Sequence, residues 1–188
     1  MNETIERKFY LKQFKAISNA IATYEDFNLL VNHLVEGMCR TFKIKGASIM
    51  ILDELENQLF RVSSYGISDH YLNKGPVFVD SKYRSLSTGD VVIIKDMQND
   101  KRIQYPEAAK EEGIVSLMTI PIKYRKYCCV GEIRLYYDHP IMMHEEDIDS
   151  LHVLANHLGL VIECNGLKNF AEQIKMSIDS LPPRMFKG

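Results

Sequence analysis

Apolar side chains recur near the start of the chain at Tyr10, Phe14, Ile17, Ile21 and Tyr24. That alternation of four and three predicts a helical stripe of coiled-coil type over residues 5 to 22. Thr23 with Asp26 three residues on resembles a capping box, Asp standing for Glu. It predicts a second helix from about Tyr24 to Phe42, burying Phe27, Leu30, Val31, Leu34, Val35 and Met38. The period then drops from helical to two. Ala47 to Leu52 and Leu59 to Ser64 read as strands joined by an acidic turn, and Phe60 and Val62 alternate with Arg61 and Ser63 as in a sheet with unlike faces.

From Gly66 to Pro76 the pattern breaks into loop. Pro76 to Asp80 suits a short edge strand, Ser81 a cap for a short helix closing at Gly89, and Val91 to Lys95 another strand. A lid helix over about Tyr105 to Glu112 ends at Gly113, the residue type that enters the left-handed region without steric cost. Two apolar runs follow, Ile114 to Ile122 and Val130 to Tyr137, separated by Lys123-Tyr124-Arg125-Lys126-Tyr127, which reads as a solvated basic loop in a central antiparallel hairpin. After His139-Pro140, Glu145, Glu146 and Asp147 open a long helix where its dipole favours negative charge. Ile148, Leu151, Ala155, Leu158 and Ile162 form its inner stripe. Leu167, Phe170, Ile174, Ile178 and Leu181 continue that spacing until Pro182-Pro183. A stripe that outruns its own domain needs a further helix, so a homodimer through the terminal helices is expected, with the N-terminal stripe as the natural partner.

Composition narrows the class. The chain has 188 residues, 46% hydrophobic and 26% charged, with a net charge of −2. Those values suit a globular protein and give no basic field for nucleic acid. The charged N-terminus lacks a signal core, and no stretch approaches the roughly 20 apolar residues of a membrane span, so a cytoplasmic protein is expected. Cys39, Cys128, Cys129 and Cys164 are then reduced thiols, with no CxxC among them.

The order helix, two strands, irregular excursion, two strands, long helix resembles the GAF domain, a ligand-sensing relative of the PAS fold. The resemblance rests on Ser64-Tyr65-Gly66-Ile67-Ser68, Lys74-Gly75-Pro76-Val77, Gly89 with Val91 to Asp96, Ile103 to Glu107, Glu112 to Leu117, Ile120-Pro121-Ile122, Val130 to Tyr136 and Glu145-Glu146-Asp147-Ile148. It covers about residues 25 to 165. It implies an α+β fold with a six-stranded antiparallel sheet, terminal helices on one face, and an excursion roofing the other, where members of the family bind small ligands. The domain plan is an N-terminal dimerisation helix (1–23), a GAF domain (24–165) and a C-terminal helical extension (166–188). Subfamily signatures for cyclic nucleotides and for bilin attachment are missing. The reactive cysteines of the free methionine sulfoxide reductases are missing too, since no cysteine lies between Cys39 and Cys128.

If Gly131, Ile133 and Leu135 face the helices, Glu132, Arg134 and Tyr136 face the roofed side, and the same parity adds Ser48, Met50, Arg61, Ser63 and Tyr65. The candidate ligand site is therefore Ser63, Tyr65, Phe78, Tyr105, Ser116, Met118, Glu132 and Arg134, the polar groups holding an anionic or hydrogen-bonding ligand between aromatic walls. An internal pair of Glu132 with Arg134 or Arg61 fits the same pattern. Glu145, Asp149 and His152 share a helical face without a fourth ligand, and His70 lies in the excursion, but no metal or haem site is expected. Nor is there a nucleophile elbow or phosphate loop; Asp138 and His139 are merely adjacent. His144 stands where a helix cap is needed. The expected function is a non-enzymatic sensor that binds an unknown small ligand and signals through its terminal helices to a partner protein. A ligand-free dimerisation or scaffolding module and a redox enzyme using Cys128 or Cys129 are the alternatives.

Overall fold

The computed structural model describes residues 5–24, 26–79, 84–125 and 128–179. The chain enters as an extended segment, where a helix from residue 5 was expected. Lys8 and Phe9 donate their backbone N–H groups to the Asp147 carboxylate, each at 2.8 Å. Arg7 pairs with the adjacent Glu146, and Phe9 buries its ring against Phe14 and Phe42. Amides held this way are unavailable to a helix, so α1 spans only Leu11–Thr23. The next helix, α2 (Phe27–Phe42), is capped by Asp26 itself, whose carboxylate accepts from the N–H groups of Asn28 and Leu29. Thr23 is no cap: its hydroxyl donates back to the Asn19 carbonyl, which is why α2 starts later than the box predicts.

Six strands follow in one antiparallel sheet: β1 (Gly46–Asp53), β2 (Gln58–Tyr65), β3 (Val77–Phe78), β4 (Val92–Ile94), β5 (Ser116–Arg125) and β6 (Cys128–Tyr137), in the order β3-β2-β1-β6-β5-β4. Between them lie the short helices α3 (Asp69–Leu72), α4 (Arg84–Thr88) and α5 (Pro106–Glu112), and α6 (Glu145–Asp179) follows the sheet. The fold is thus α+β, as expected. Lys123, Tyr124 and Arg125 continue β5 where a loop was expected, and Lys126 and Tyr127 lie outside the described residues. Lys123 pairs with Cys129 and Arg125 with Cys128, because ladder hydrogen bonds run along the backbone whatever side chains it carries. Ile114 conversely stays outside β5, its N–H closing the cap of α5 on the Ala109 carbonyl. Gly113 holds that cap at φ 73°.

The principal core lies between the sheet and α1, α2 and α6. Ile49, Met118, Ile120, Ile122, Ile133 and Leu135 project from the sheet against Leu30, Val31, Val35, Leu151, Ala155 and Leu158. The N-terminal stripe packs within its own chain: Ile21 is buried in this core, and Phe14 lies 6.4 Å from the His157 ring of α6. Of the inner stripe of α6, Leu151, Ala155 and Leu158 are likewise buried and Ile148 and Ile162 partly so, and the His144 ring nitrogen Nδ1 accepts from the Glu146 N–H at its start. Farther along, Leu167, Phe170 and Ile174 are exposed. Ser81, Tyr127, Leu181, Pro182 and Pro183, and the Ile178 side chain, lie outside the described residues. Among the described residues no helix is long and apolar enough to cross a membrane.

Candidate functional site

On the other face of the sheet, β6 presents Glu132, Arg134 and Tyr136, as strand alternation requires. Arg134 and Glu132 are 4% and 0% exposed, and Arg134 Nε donates to Glu132 Oε1 at 2.6 Å. The Ser85 hydroxyl of α4 donates to the other carboxylate oxygen at 2.7 Å. Burial pushes the Glu132 carboxyl up, to about 8, against the Ser85 hydrogen bond; the guanidinium beside it opposes burial too. The internal pair named as one possibility is therefore present. It leaves Arg134 on the wall of a hollow.

That hollow has two parts. A cavity of about 20 Å³ is lined by Arg134, Tyr71, Lys74, Met97, Tyr105 and Leu117, among others. A second, of about 120 Å³, lies over Ser48, Met50, Arg61 and Tyr136 and shares Lys74 and Val77 with the first. Lys74 thus lines both. Its Nζ donates to the Tyr71 carbonyl at 3.1 Å and sits 3.7 Å above the Tyr71 ring, which burial pushes upward in its own titration. Burial first, then the charges of Arg134 and Arg61, drives the Lys74 ammonium down to about 8, with Glu112 opposing. Arg102 lines the smaller cavity but pairs with Asp100 at 2.6 Å.

The excursion holds this roof by specific contacts. Ser68 caps α3 and binds Glu112 of α5 through both its N–H and its hydroxyl. Gln104 exchanges hydrogen bonds with the Phe78 backbone, and the Tyr105 hydroxyl donates to the Pro76 carbonyl at 2.7 Å. Tyr105 packs so close to Gly75 that a Cβ there would meet its hydroxyl at 2.7 Å.

Several expected site residues lie elsewhere. Opposite Ile49, Ser63 turns to the helices and donates to Asn32 Oδ1 at 2.6 Å, and Tyr65 pairs with Ala47 on the same face. The cause is a β-bulge: Met50 pairs with Arg61 and Ile49 with Ser63, so Val62 is an extra residue that reverses parity beyond it. Ser116 and Met118 pair with Tyr137 and Leu135, helix-side residues; the Ser116 hydroxyl donates to the His139 carbonyl and Met118 lies in the principal core. Phe78 is half exposed on the edge strand and lines neither cavity. Tyr105 and Arg134 are the expected residues that line the hollow, with Glu132 beneath. Lys74 was not foreseen as a site residue. The signal lay beside it, in a glycine that lets an aromatic ring close over the lysine.

Among the described residues no three His, Cys, Asp or Glu side chains converge as metal ligands. His70 is exposed beside Glu111, and His139 pairs with Asp138 at the surface.

The sequence profile of the GAF domain matches residues 26–162. The chain belongs to the GAF domain family. Among curated proteins no sequence matches it significantly. The GAF domain of a phosphoenolpyruvate-protein phosphotransferase from Coxiella burnetii superposes with a TM-score of 0.73 at 16% identity, covering 85% of this chain and 95% of that one. The corresponding domain from Acinetobacter gives 0.68 at 16% identity, covering 83% and 94%. A free methionine-R-sulfoxide reductase from Neisseria meningitidis, solved with its substrate, gives 0.65 at 14% identity, covering 85% and 95%. At such identities the likeness shows the GAF fold. That fold serves sensory and regulatory domains and, in one of these neighbours, an enzyme.

Proposed function

We propose that this GAF domain is a non-enzymatic sensor that binds a small anion, a carboxylate or a phosphate, under the 66–113 excursion and signals through its terminal helices to a partner protein. The observation that carries the reading is that Lys74 lines two adjoining cavities, the larger shared with Arg61 and the smaller with Arg134, and that both guanidiniums act on its charge. A buried anion there relieves repulsion among cations that folding has brought together. The cavities are small, which favours a metabolite of a few heavy atoms over a nucleotide or tetrapyrrole. Output follows if the anion binds one arrangement of the terminal helices better than another.

Native mass spectrometry of freshly purified protein reads any retained molecule, and calorimetric titration with pyruvate and with inorganic phosphate reads affinity. Binding of one probe is expected, weakened at least tenfold in Arg134→Ala and unchanged in Ser63→Ala, whose hydroxyl faces α2. Affinity should fall as pH rises through about 8, where Lys74 loses its proton, so binding should take up protons in that range. If neither probe binds and nothing is retained, the sensing reading fails.

The exposed apolar residues of α6, Leu167, Phe170 and Ile174, favour a homodimer as part of the same reading. A ligand-free dimerisation module would keep that dimer and bind neither probe. Thiol-dependent turnover of free methionine sulfoxide would instead favour the enzyme.

A further inference from the structure

Lys74 combines features of a reactive amine. Its Nζ is held by the Tyr71 carbonyl and ring face, the Tyr105 ring lies 6.0 Å away, and the side chain lines both cavities. The charged groups acting on it come from three elements, Arg134 on β6, Arg61 on β2 and Glu112 on α5, and the uncharged Tyr71 ring of α3 packs against it. Two of these are cations, and both disfavour the ammonium form. Relative to an ordinary lysine, the downward shift leaves on the order of a hundredfold more neutral amine at neutral pH. Neutral amine is the form that reacts with carbon electrophiles.

We infer that Lys74 is a carbamylation site, at which its amine captures carbon dioxide and is converted from a cation among cations into an anion between the Arg61 and Arg134 guanidiniums. The Nζ lone pair attacks the carbon of CO2 and forms the N–C bond. One C=O electron pair moves to oxygen, and a proton leaves nitrogen for solvent water. The product is Lys74–NH–COO⁻, with no oxidant or reductant involved. The charge reversal is the driving feature: the guanidiniums that repel the ammonium now attract the carbamate and can donate to its oxygens. The remaining N–H still suits the Tyr71 carbonyl. Space is sufficient, because CO2 adds three atoms beside a cavity of about 120 Å³. The inference rests on the reading of this hollow as a sensing site, but here the anion is made in place.

The test equilibrates the whole protein with ¹³C-bicarbonate near pH 7.5, traps carbamates by ethylation with triethyloxonium, and maps the adducts by peptide mass spectrometry. Lys74 is expected to carry the label at least tenfold above exposed Lys110, saturably with CO2, with the label reduced severalfold in Arg61→Gln. Arg61 is itself exposed, so that variant should fold. Label on Lys74 no greater than on Lys110, or insensitive to Arg61→Gln, overturns the inference. Pyruvate and phosphate titrations on the same preparation keep the two readings apart: anion binding without the adduct sinks only carbamylation, and the adduct without anion binding sinks only the soluble-anion reading.

Discussion

Arg134 and Glu132 show how one buried pair sets local chemistry. Each would be costly alone under the roof, and together with Ser85 they satisfy much of their hydrogen-bonding capacity. Glu132→Ala removes the acid and leaves a buried guanidinium, so urea unfolding should show a loss of about 3–5 kcal/mol. The same variant should bind pyruvate or phosphate more tightly, because a carboxylate facing the same guanidinium is removed. Asp147 is the other such residue. A carboxylate that reads from sequence as a helix-dipole acid is 1% exposed and accepts two backbone N–H groups from residues 138 and 139 positions earlier in the chain. Strand alternation placed Glu132 and Arg134 on one face in advance; no local pattern says which distant amides a carboxylate will meet.

Among the elements, β2 and α6 are the most informative. One extra residue in β2 sends Ser63 and Tyr65 to the helix face, and neither the strand's composition nor its length announces it. Against β5, α6 makes a close approach through Gly159, where a Cβ would lie 2.3 Å from the Lys123 carbonyl oxygen. Gly159→Ala must push helix from sheet and should cost about 1–3 kcal/mol in thermal or urea unfolding. Half-buried His152, on the same helix, has its titration lowered by burial and by Lys123, with Asp90 and Asp149 opposing. The unfolded chain then takes up a proton at the ordinary value of about 6.5 before the folded one does. Its stabilising contribution is therefore full above that pH and lost as pH falls below it. Urea midpoints between pH 7.5 and 5.5 should decline less in His152→Gln than in the unaltered protein.

For the molecule as a whole, the question is what covers the outer part of α6. The N-terminal stripe packs within the same chain, against the sheet-bound half of α6, and leaves Leu167, Phe170 and Ile174 to other contacts. If these form a homodimer, sedimentation at roughly tens of micromolar, a concentration suited to modest interfaces, should give a dimer. The double variant Phe170→Glu with Ile174→Glu should run as a monomer with an unchanged unfolding midpoint for the sheet domain. A monomer from the unaltered chain would remove the dimer from the proposal.

The sequence by itself determined the order of elements, the antiparallel central hairpin, the helix faces and the GAF family, because periodicity and turn residues are local and recur in order along the chain. Only the tertiary structure decided that Asp147 straps the entering segment, that a bulge turns Ser63 away from the roof, and that Lys74 stands beside Arg134 and Arg61. Those outcomes depend on register and on charges brought together from separate strands and loops, and neither quantity exists until the sheet has closed.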